Sequence, residues 1–221
     1  MDLTWLGHGC FRLRGRAAAV VTDPYPPSLG PKLPKLEADL VTISHQHENH
    51  SYAQAVVKEP YVVRGPGEYE VAGVTVTGLP TFHDASQGSV HGRNMVCVIE
   101  LDEVRVCHLG DLGHPLAADM LEALGNIDVL LVPVGGGNTL DAAGAAEVVR
   151  QVEPRVVIPM HYALPALKTE LAPVERFLKE MGVTEAEPQP RLTVQPSSTE
   201  GETRVVVLEP RAESSRIRCS P

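Results

Sequence analysis

The stretch Leu40-Val41-Thr42-Ile43-Ser44-His45-Gln46-His47-Glu48-Asn49-His50 joins a short apolar run to three closely spaced histidines. The apolar run, 40–43, predicts a buried strand, and polar residues just past a strand's carboxyl end typically line the crevice of an open α/β sheet. Residues two apart in an extended chain point to the same side, so His45 and His47 can reach one metal ion. If the chain then turns, His50 faces elsewhere and can serve a second ion nearby. A solvated polar loop is the alternative for this segment alone.

Other side chains that bind metals also follow apolar segments typical of strands. His83 comes after a strand at 74–76 and Thr81-Phe82, Asp111 after 104–108, and His161 after 156–160. These positions predict two adjoining metal sites, with Asp111 bridging them. One site would use His45, His47 and His83, and the other His50 and His161. Imidazoles with a carboxylate and a shared hydroxide suit Zn²⁺. The pattern is compatible with one or two ions, and with Mn²⁺ or Fe²⁺ in place of Zn²⁺.

Seven short motifs in a fixed order resemble those of the metallo-β-lactamase-fold hydrolases. The resemblance runs from about Leu3 to Leu208. Within the family, the chain is similar to the small single-domain branch that includes ascorbate-6-phosphate lactonase-like proteins. The motifs are Trp5-Leu6-Gly7-His8, Thr22-Asp23-Pro24-Tyr25, the histidine segment 45–50, His83-Asp84, the segment His108–His114, Pro133-Val134-Gly135-Gly136 and Pro159-Met160-His161-Tyr162.

The resemblance implies an α/β fold of the αββα four-layer sandwich type, with two mixed β-sheets and helices outside. It also implies a dinuclear metal site at the edge where the sheets meet, and hydrolysis by a metal-bound hydroxide. We expect one domain over residues 1–210 and a disordered tail over 211–221.

Asn49 departs from the His-x-His-x-Asp-His pattern of that family, in which an Asp at this position binds the second metal and orients the attacking water. An amide has the same shape but no charge, so it is a poorer ligand and no base. We therefore expect a tight first metal site and a weaker second one. Asp111, His114 and Asn49 are the candidate catalytic residues. His114 could touch substrate or act as an acid, or simply be a polar residue at a helix start.

Several other polar residues have both a functional and a structural interpretation. Asp23 could accept a proton from a ligand histidine and fix its tautomer, or start a turn before a proline. The segment 135–138 could hold an anion on backbone N–H groups or form a tight turn. His8 and His108 are expected to be structural, and His91 to lie in a loop near His83.

Hydrophobic periodicity predicts strands in the first half and strand–helix alternation in the second. A hairpin should turn at Asp102-Glu103. Helices are expected from Pro115 to Gly125, from about Thr139 to Gln151, and around Leu171 to Leu178.

The amino-acid composition disfavours nucleic acids and membranes as binding partners. The 221 residues carry 19 Lys and Arg against 28 Asp and Glu, a formal charge of −9, with 4% aromatic residues. This acidic, aromatic-poor chain lacks the basic footprint of a nucleic-acid binder. No apolar run approaches the roughly 20 residues of a membrane span, and no secretory signal pattern opens the chain. We expect a cytoplasmic protein with reduced cysteines and a small-molecule substrate; a homo-oligomer remains open.

The favoured function is a metal-dependent hydrolase acting on an ester, lactone or phosphodiester bond of a small soluble metabolite. The alternative, favoured by Asn49, is a degenerate, non-catalytic member that binds one metal or a ligand as a sensor or scaffold. A nuclease is disfavoured by the acidic charge balance.

Overall fold

The computed structural model describes residues 1–165, 167–196 and 201–211. Its helices are α1 Ala118–Leu124, α2 Ala142–Val152 and α3 Val174–Glu180. In chain order, its strands are β1 Asp2–Gly7, β2 Cys10–Arg14, β3 Ala19–Thr22, β4 Leu36–Glu37, β5 Leu40–Thr42, β6 Val56–Val57, β7 Tyr61–Val63, β8 Gly67–Val71, β9 Val74–Phe82, β10 Arg93–Leu101, β11 Val104–His108, β12 Val129–Pro133, β13 Val156–Met160, β14 Leu192–Thr193 and β15 Arg204–Val205.

Most strands form two mixed sheets. The first has the order β14-β1-β2-β3-β5-β7, and the second β15-β13-β12-β11-β10-β9-β8. Strands β3, β5 and β7 are parallel, as are β11, β12, β13 and β15, whereas β8 to β11 form an antiparallel meander. This arrangement confirms the predicted α/β class with two mixed sheets.

Alternation along the strands places a core on each face of the first sheet. Val20 of β3 and Leu40 of β5 join the main buried cluster together with side chains of the second sheet. Their neighbours Val21 and Val41 join a smaller cluster on the opposite face. Successive side chains of a strand point to opposite faces, so one strand serves both clusters. The two sheets therefore pack face to face.

The outer face of the first sheet is covered differently from the outer face of the second. Its smaller cluster includes Leu36 and Val56 of the β4–β6 pair, and Leu29 and Ala53 of two 3-10 turns pack against it. The segment 24–34 contains five prolines, which remove backbone donors and disfavour an α-helix. The expected helices outside are α1, α2 and α3, which follow strands of the second sheet.

The helices and the hairpin match the sequence patterns, with shifted helix starts. The hairpin turns at Asp102 and Glu103, both with positive φ. Helix α2 begins after Asp141, because its side chain accepts a hydrogen bond from Gly144 N at 2.8 Å and caps the helix. The Pro115 and Leu171 helix starts move to Ala118 and Val174.

The expected tail begins at the last described residue. Arg211 N donates a hydrogen bond to Trp5 O at 2.8 Å. Residues 212–221 lie outside the described residues, and a single domain over 1–210 stays a prediction. Within the described ranges, no helix has the length and apolar character needed to cross a membrane.

Candidate metal centre

One edge of the sandwich gathers the predicted residues. Strands β5, β9, β11 and β13 end there, and they are followed by the 45–50 segment, His83, Asp111 and His161 respectively. Met95 N on β10 donates to Ser44 O at 2.8 Å, which holds the end of β5 against the second sheet. Segments distant along the chain therefore meet at one point.

Asp111 lies at the centre of this cluster. It is buried, and its backbone N donates to Asn94 Oδ1 at 3.0 Å. The preceding Gly110 has a φ of +59°, and a side chain there would overlap Asn94 and Ser44. The Oδ2 atom of Asp111 lies near the Nε2 atoms of four histidines: His83 at 3.1 Å, His50 at 3.2 Å, His161 at 3.4 Å and His45 at 3.7 Å.

Three histidines form the first predicted site. Nitrogens of His45, His47 and His83 all lie within 4.8 Å of one another. His45 Nδ1 is 2.9 Å from Ser44 Oγ, and His83 Nδ1 donates to Asn138 O at 2.9 Å. Because these Nδ1 atoms are engaged, Nε2 of each ring is the atom turned toward Asp111.

His50 belongs to the other side of the cluster. Its backbone N donates to His47 O at 2.9 Å, so the chain turns at this point, and the His50 ring centroid lies 4.4 Å from that of His45. Its Nδ1 donates to Asp23 Oδ2 at 2.9 Å, and Asp23 Oδ1 accepts from Ser44 N at 2.7 Å. The buried Asp23 carboxylate thus contacts a predicted ligand directly and a second one, His45, through the Ser44 hydroxyl.

Replacing Asp23 with Asn should weaken metal binding about 10- to 100-fold, the usual cost of losing such an outer partner. An amide cannot accept on both oxygens, so either His50 or Ser44 loses its partner. The Zn²⁺ dissociation constant, measured by competition with a chromogenic chelator, checks this. Asp128→Asn is the control, because Asp128 pairs with Arg155 at the start of β12. Equal affinities for both variants would contradict the role of Asp23.

The electrostatics of the cluster favour a cation. Burial raises the pKa of the Asp111 carboxyl, but His161 and His50 lower it more, and it ends well below its usual range. Burial lowers the pKa of His50, but Asp111 and Asp23 outweigh it and raise that pKa to about 10. Burial, aided by His50, lowers the pKa of His45 to about 3. With a pKa of about 10, His50 holds a proton between Asp111 and Asp23 near neutral pH, so its surroundings favour a cation there. A metal ion would have to displace that proton, because only the neutral imidazole binds metal.

The residues fit a divalent metal ion. Among the residues that the structure describes, His45 Nε2, His50 Nε2 and Asp111 Oδ1 are buried and have no hydrogen-bond partner. Unpaired buried polar atoms are costly, roughly 1–3 kcal/mol each, and a metal ion would satisfy all three. Nitrogen donors with one carboxylate are typical of zinc and similar borderline metals.

The candidate catalytic residues Asn49 and His114 both have hydrogen-bond partners of their own. Asn49 Nδ2 lies 3.0 Å from His8 Nε2. His114 Nδ1 donates to Pro115 O at 2.8 Å, and its Nε2 accepts from Phe82 N at 3.3 Å. Both ring nitrogens of His114 are therefore occupied by the backbone, and its catalytic role stays a prediction.

A cavity of about 680 Å³ opens beside the first site. Its lining includes His45, His47 and His91, the guanidinium side chains of Arg64 and Arg93, and the ring of Phe82. The cavity therefore joins predicted metal ligands to two cationic groups and an apolar wall.

Sequence reasoning missed the contributions of three residues. Ser44 links Asp23 to His45, the Asn138 carbonyl orients His83, and His8 packs against predicted ligands. Ser44 directly precedes the histidine segment, and His8 stands in a motif, so both had a signal. The Asn138 carbonyl had no such signal, because a backbone group is not specified by residue type. His108 is structural as expected, with Nε2 donating to Gly9 O and Nδ1 accepting from Gly110 N.

Known proteins resemble this chain over most of its length. The profile of the family described as Beta-lactamase superfamily domain matches residues 2–161. A UPF0173 metal-dependent hydrolase of Thermococcus onnurineus is 33% identical over 190 residues, covering 73% of this chain and 84% of that protein.

Solved structures agree with this similarity. A candidate Zn-dependent hydrolase of the metallo-beta-lactamase superfamily from Thermotoga maritima aligns with a TM-score of 0.77 and 40% identity, covering 94% of this chain and 99% of that one. Igni18, a metallo hydrolase of Ignicoccus hospitalis, shares the fold with a TM-score of 0.65 and 22% identity, covering 89% of this chain and 99% of that one. The sheets, the histidine cluster and these similarities lead to one conclusion: this chain belongs to the metallo-beta-lactamase superfamily.

Proposed function

We propose that this protein is a metal-dependent hydrolase of an ester, lactone or phosphodiester bond in a small molecule. The observation that carries the proposal is the position of Asp111 Oδ2, within 3.7 Å of the Nε2 atoms of four histidines from three segments. The metal-dependent hydrolase of Thermococcus onnurineus and the solved Thermotoga maritima structure support it.

Different residues of the cluster would bind each of two metal ions. His45, His47 and His83 would hold one ion, His50 and His161 a second, and Asp111 both. Divalent ions held by these residues, zinc in the first instance and manganese or iron as alternatives, would lower the pKa of a water molecule toward neutrality and polarise the scissile group. Asp23, Ser44 and the Asn138 carbonyl keep the imidazoles oriented.

The test uses the purified full chain. Protein loaded with Zn²⁺, Mn²⁺ or Fe²⁺ should hydrolyse p-nitrophenyl acetate, bis(p-nitrophenyl) phosphate or a γ-lactone; a chelator should abolish turnover, and the metal should restore it. Turnover that persists after complete removal of metal would refute the proposal. A metal-loaded protein inert toward all three bond types would favour the non-catalytic sensor or scaffold, for which Asn49 is the supporting observation.

We further propose that the substrate carries an anionic group, and the lining of the cavity supports this. Arg64 and Arg93 line it alongside His45 and His47, so an anion bound by the guanidinium groups would lie beside the metal ligands. Phe82 supplies an apolar surface for the rest of the molecule.

Arg93→Gln should raise the KM for anionic bis(p-nitrophenyl) phosphate about tenfold, which corresponds to about 1.4 kcal/mol. A charge-assisted contact contributes about that much. The KM for neutral p-nitrophenyl acetate serves as the internal control and should stay the same. A parallel rise in both KM values would show that Arg93 shapes the cavity and does not bind the anion.

A further inference from the structure

His8 is a buried histidine at the turn between β1 and β2, directly beside the metal centre. It is fully buried, and its ring centroid lies 4.5 Å from that of His50 and 4.2 Å from that of His161. We expected His8 to be structural. The structure instead packs its ring against both predicted histidine ligands of the second site.

The two ring nitrogens of His8 have different surroundings. Nε2 lies 3.0 Å from the side-chain amide of Asn49. Nδ1 is buried and has no hydrogen-bond partner among the described residues. His108 shows the contrast, because it is equally buried but bonds the backbone through both nitrogens. A buried imidazole with one unpaired nitrogen is suited to binding an ion.

The spacing also suits a metal. Nitrogens of His8, His50 and His161 all lie within 4.8 Å of one another, as do those of His45, His47 and His83 in the first site. The cluster thus contains two histidine triads, with the Asp111 carboxylate close to members of both.

We propose that His8 is a ligand of the second metal ion and takes the place that a carboxylate at position 49 would otherwise fill. The inference rests on the proposed function only in assuming that the centre binds two divalent ions. A neutral imidazole is a stronger ligand than an amide oxygen for zinc and similar metals.

Asn49 then acquires an orienting role. An imidazole that binds metal through Nδ1 carries its proton on Nε2, so His8 Nε2–H donates to the Asn49 carbonyl oxygen. The two orientations of an amide exchange donor and acceptor at the same place, and the hydrogen-bonding partner decides between them. Asn49 would hold His8 as Asp23 holds His50.

Two variants distinguish His8 as the ligand from Asn49 as the ligand. In the full chain titrated with Zn²⁺ against a chromogenic chelator, His8→Gln should weaken the second equivalent at least 100-fold and leave the first unchanged. Asn49→Ala should weaken the second equivalent only about tenfold, the lower end of the cost of losing an outer partner, because a neutral amide is a weaker hydrogen-bond partner than a carboxylate. His108→Gln is the matched buried-histidine control and should keep both equivalents. The opposite ranking of His8→Gln and Asn49→Ala would overturn the proposal and make Asn49 the ligand.

A second measurement needs no substitution at a buried position. Protein loaded with two equivalents of Co²⁺ should show six hyperfine-shifted, exchangeable imidazole N–H signals by NMR, one for each ligand histidine. Five signals would overturn the role of His8 while leaving the dinuclear centre intact. If the chain binds fewer than two equivalents, the dinuclear proposal itself fails, which is a separate result.

Discussion

Asp111→Asn should remove bound metal and lower hydrolysis of the best chromogenic substrate at least 1000-fold. The Asp111 carboxylate approaches four of the predicted histidine ligands, at 3.1 to 3.7 Å from their Nε2 atoms. An amide keeps the shape but loses the negative charge that balances two divalent cations, and it offers one acceptor oxygen in place of two. We therefore expect both ions to leave on dialysis.

Elemental analysis of dialysed protein and steady-state kinetics measure this result. Asp141→Asn is the matched control, because Asp141 caps α2 and Asn is an equally good N-cap residue. It should retain metal, activity and thermal stability. Turnover by metal-free Asp111→Asn at the rate of the unmodified chain would refute a metal-dependent mechanism.

Asn49→Asp should tighten the weaker of the two metal equivalents about 10- to 100-fold and leave the tighter one unchanged. A carboxylate at this position adds a negative charge beside the second site, and it accepts more strongly than an amide from His8 Nε2–H, which strengthens His8 as a ligand. Sequential chelator competition resolves the two equivalents. Asn126→Asp adds the same charge at an exposed position after α1 and should change neither.

The kcat of the Asn49→Asp variant distinguishes an active hydrolase from the degenerate, non-catalytic alternative. We expect kcat to rise less than tenfold, because in our proposal His8 already completes the second site of an active enzyme. A gain of 100-fold or more over an inert parent would establish the degenerate, non-catalytic alternative. Two equally tight equivalents in the unmodified chain would contradict the expected weakness of its second site.

The sequence identified the residues of the candidate centre better than their mutual roles. His45, His83, Asp111 and His161 each follow a strand, and a local pattern of apolar residues is enough to place a residue at a strand end. The helix boundaries were less accurate. Caps such as Asp141 and starts such as Ala118 depend on individual hydrogen bonds and dihedral angles, which hydrophobic periodicity does not encode.

The sequence by itself determined the two-sheet α/β class, the family and the chain positions able to bind metal, because strand periodicity and motif order are local properties of the chain. Only the tertiary structure decided that Ser44 and the Asn138 carbonyl orient ligands, that both nitrogens of His114 are engaged, and that His8 lies between His50 and His161. These contacts join residues up to 153 positions apart, His8 to His161 (161 − 8), and they exist only once both sheets have packed. That packing leaves His8 Nδ1 without a partner among the described residues, and it is the basis of the inference that the second site has a third histidine.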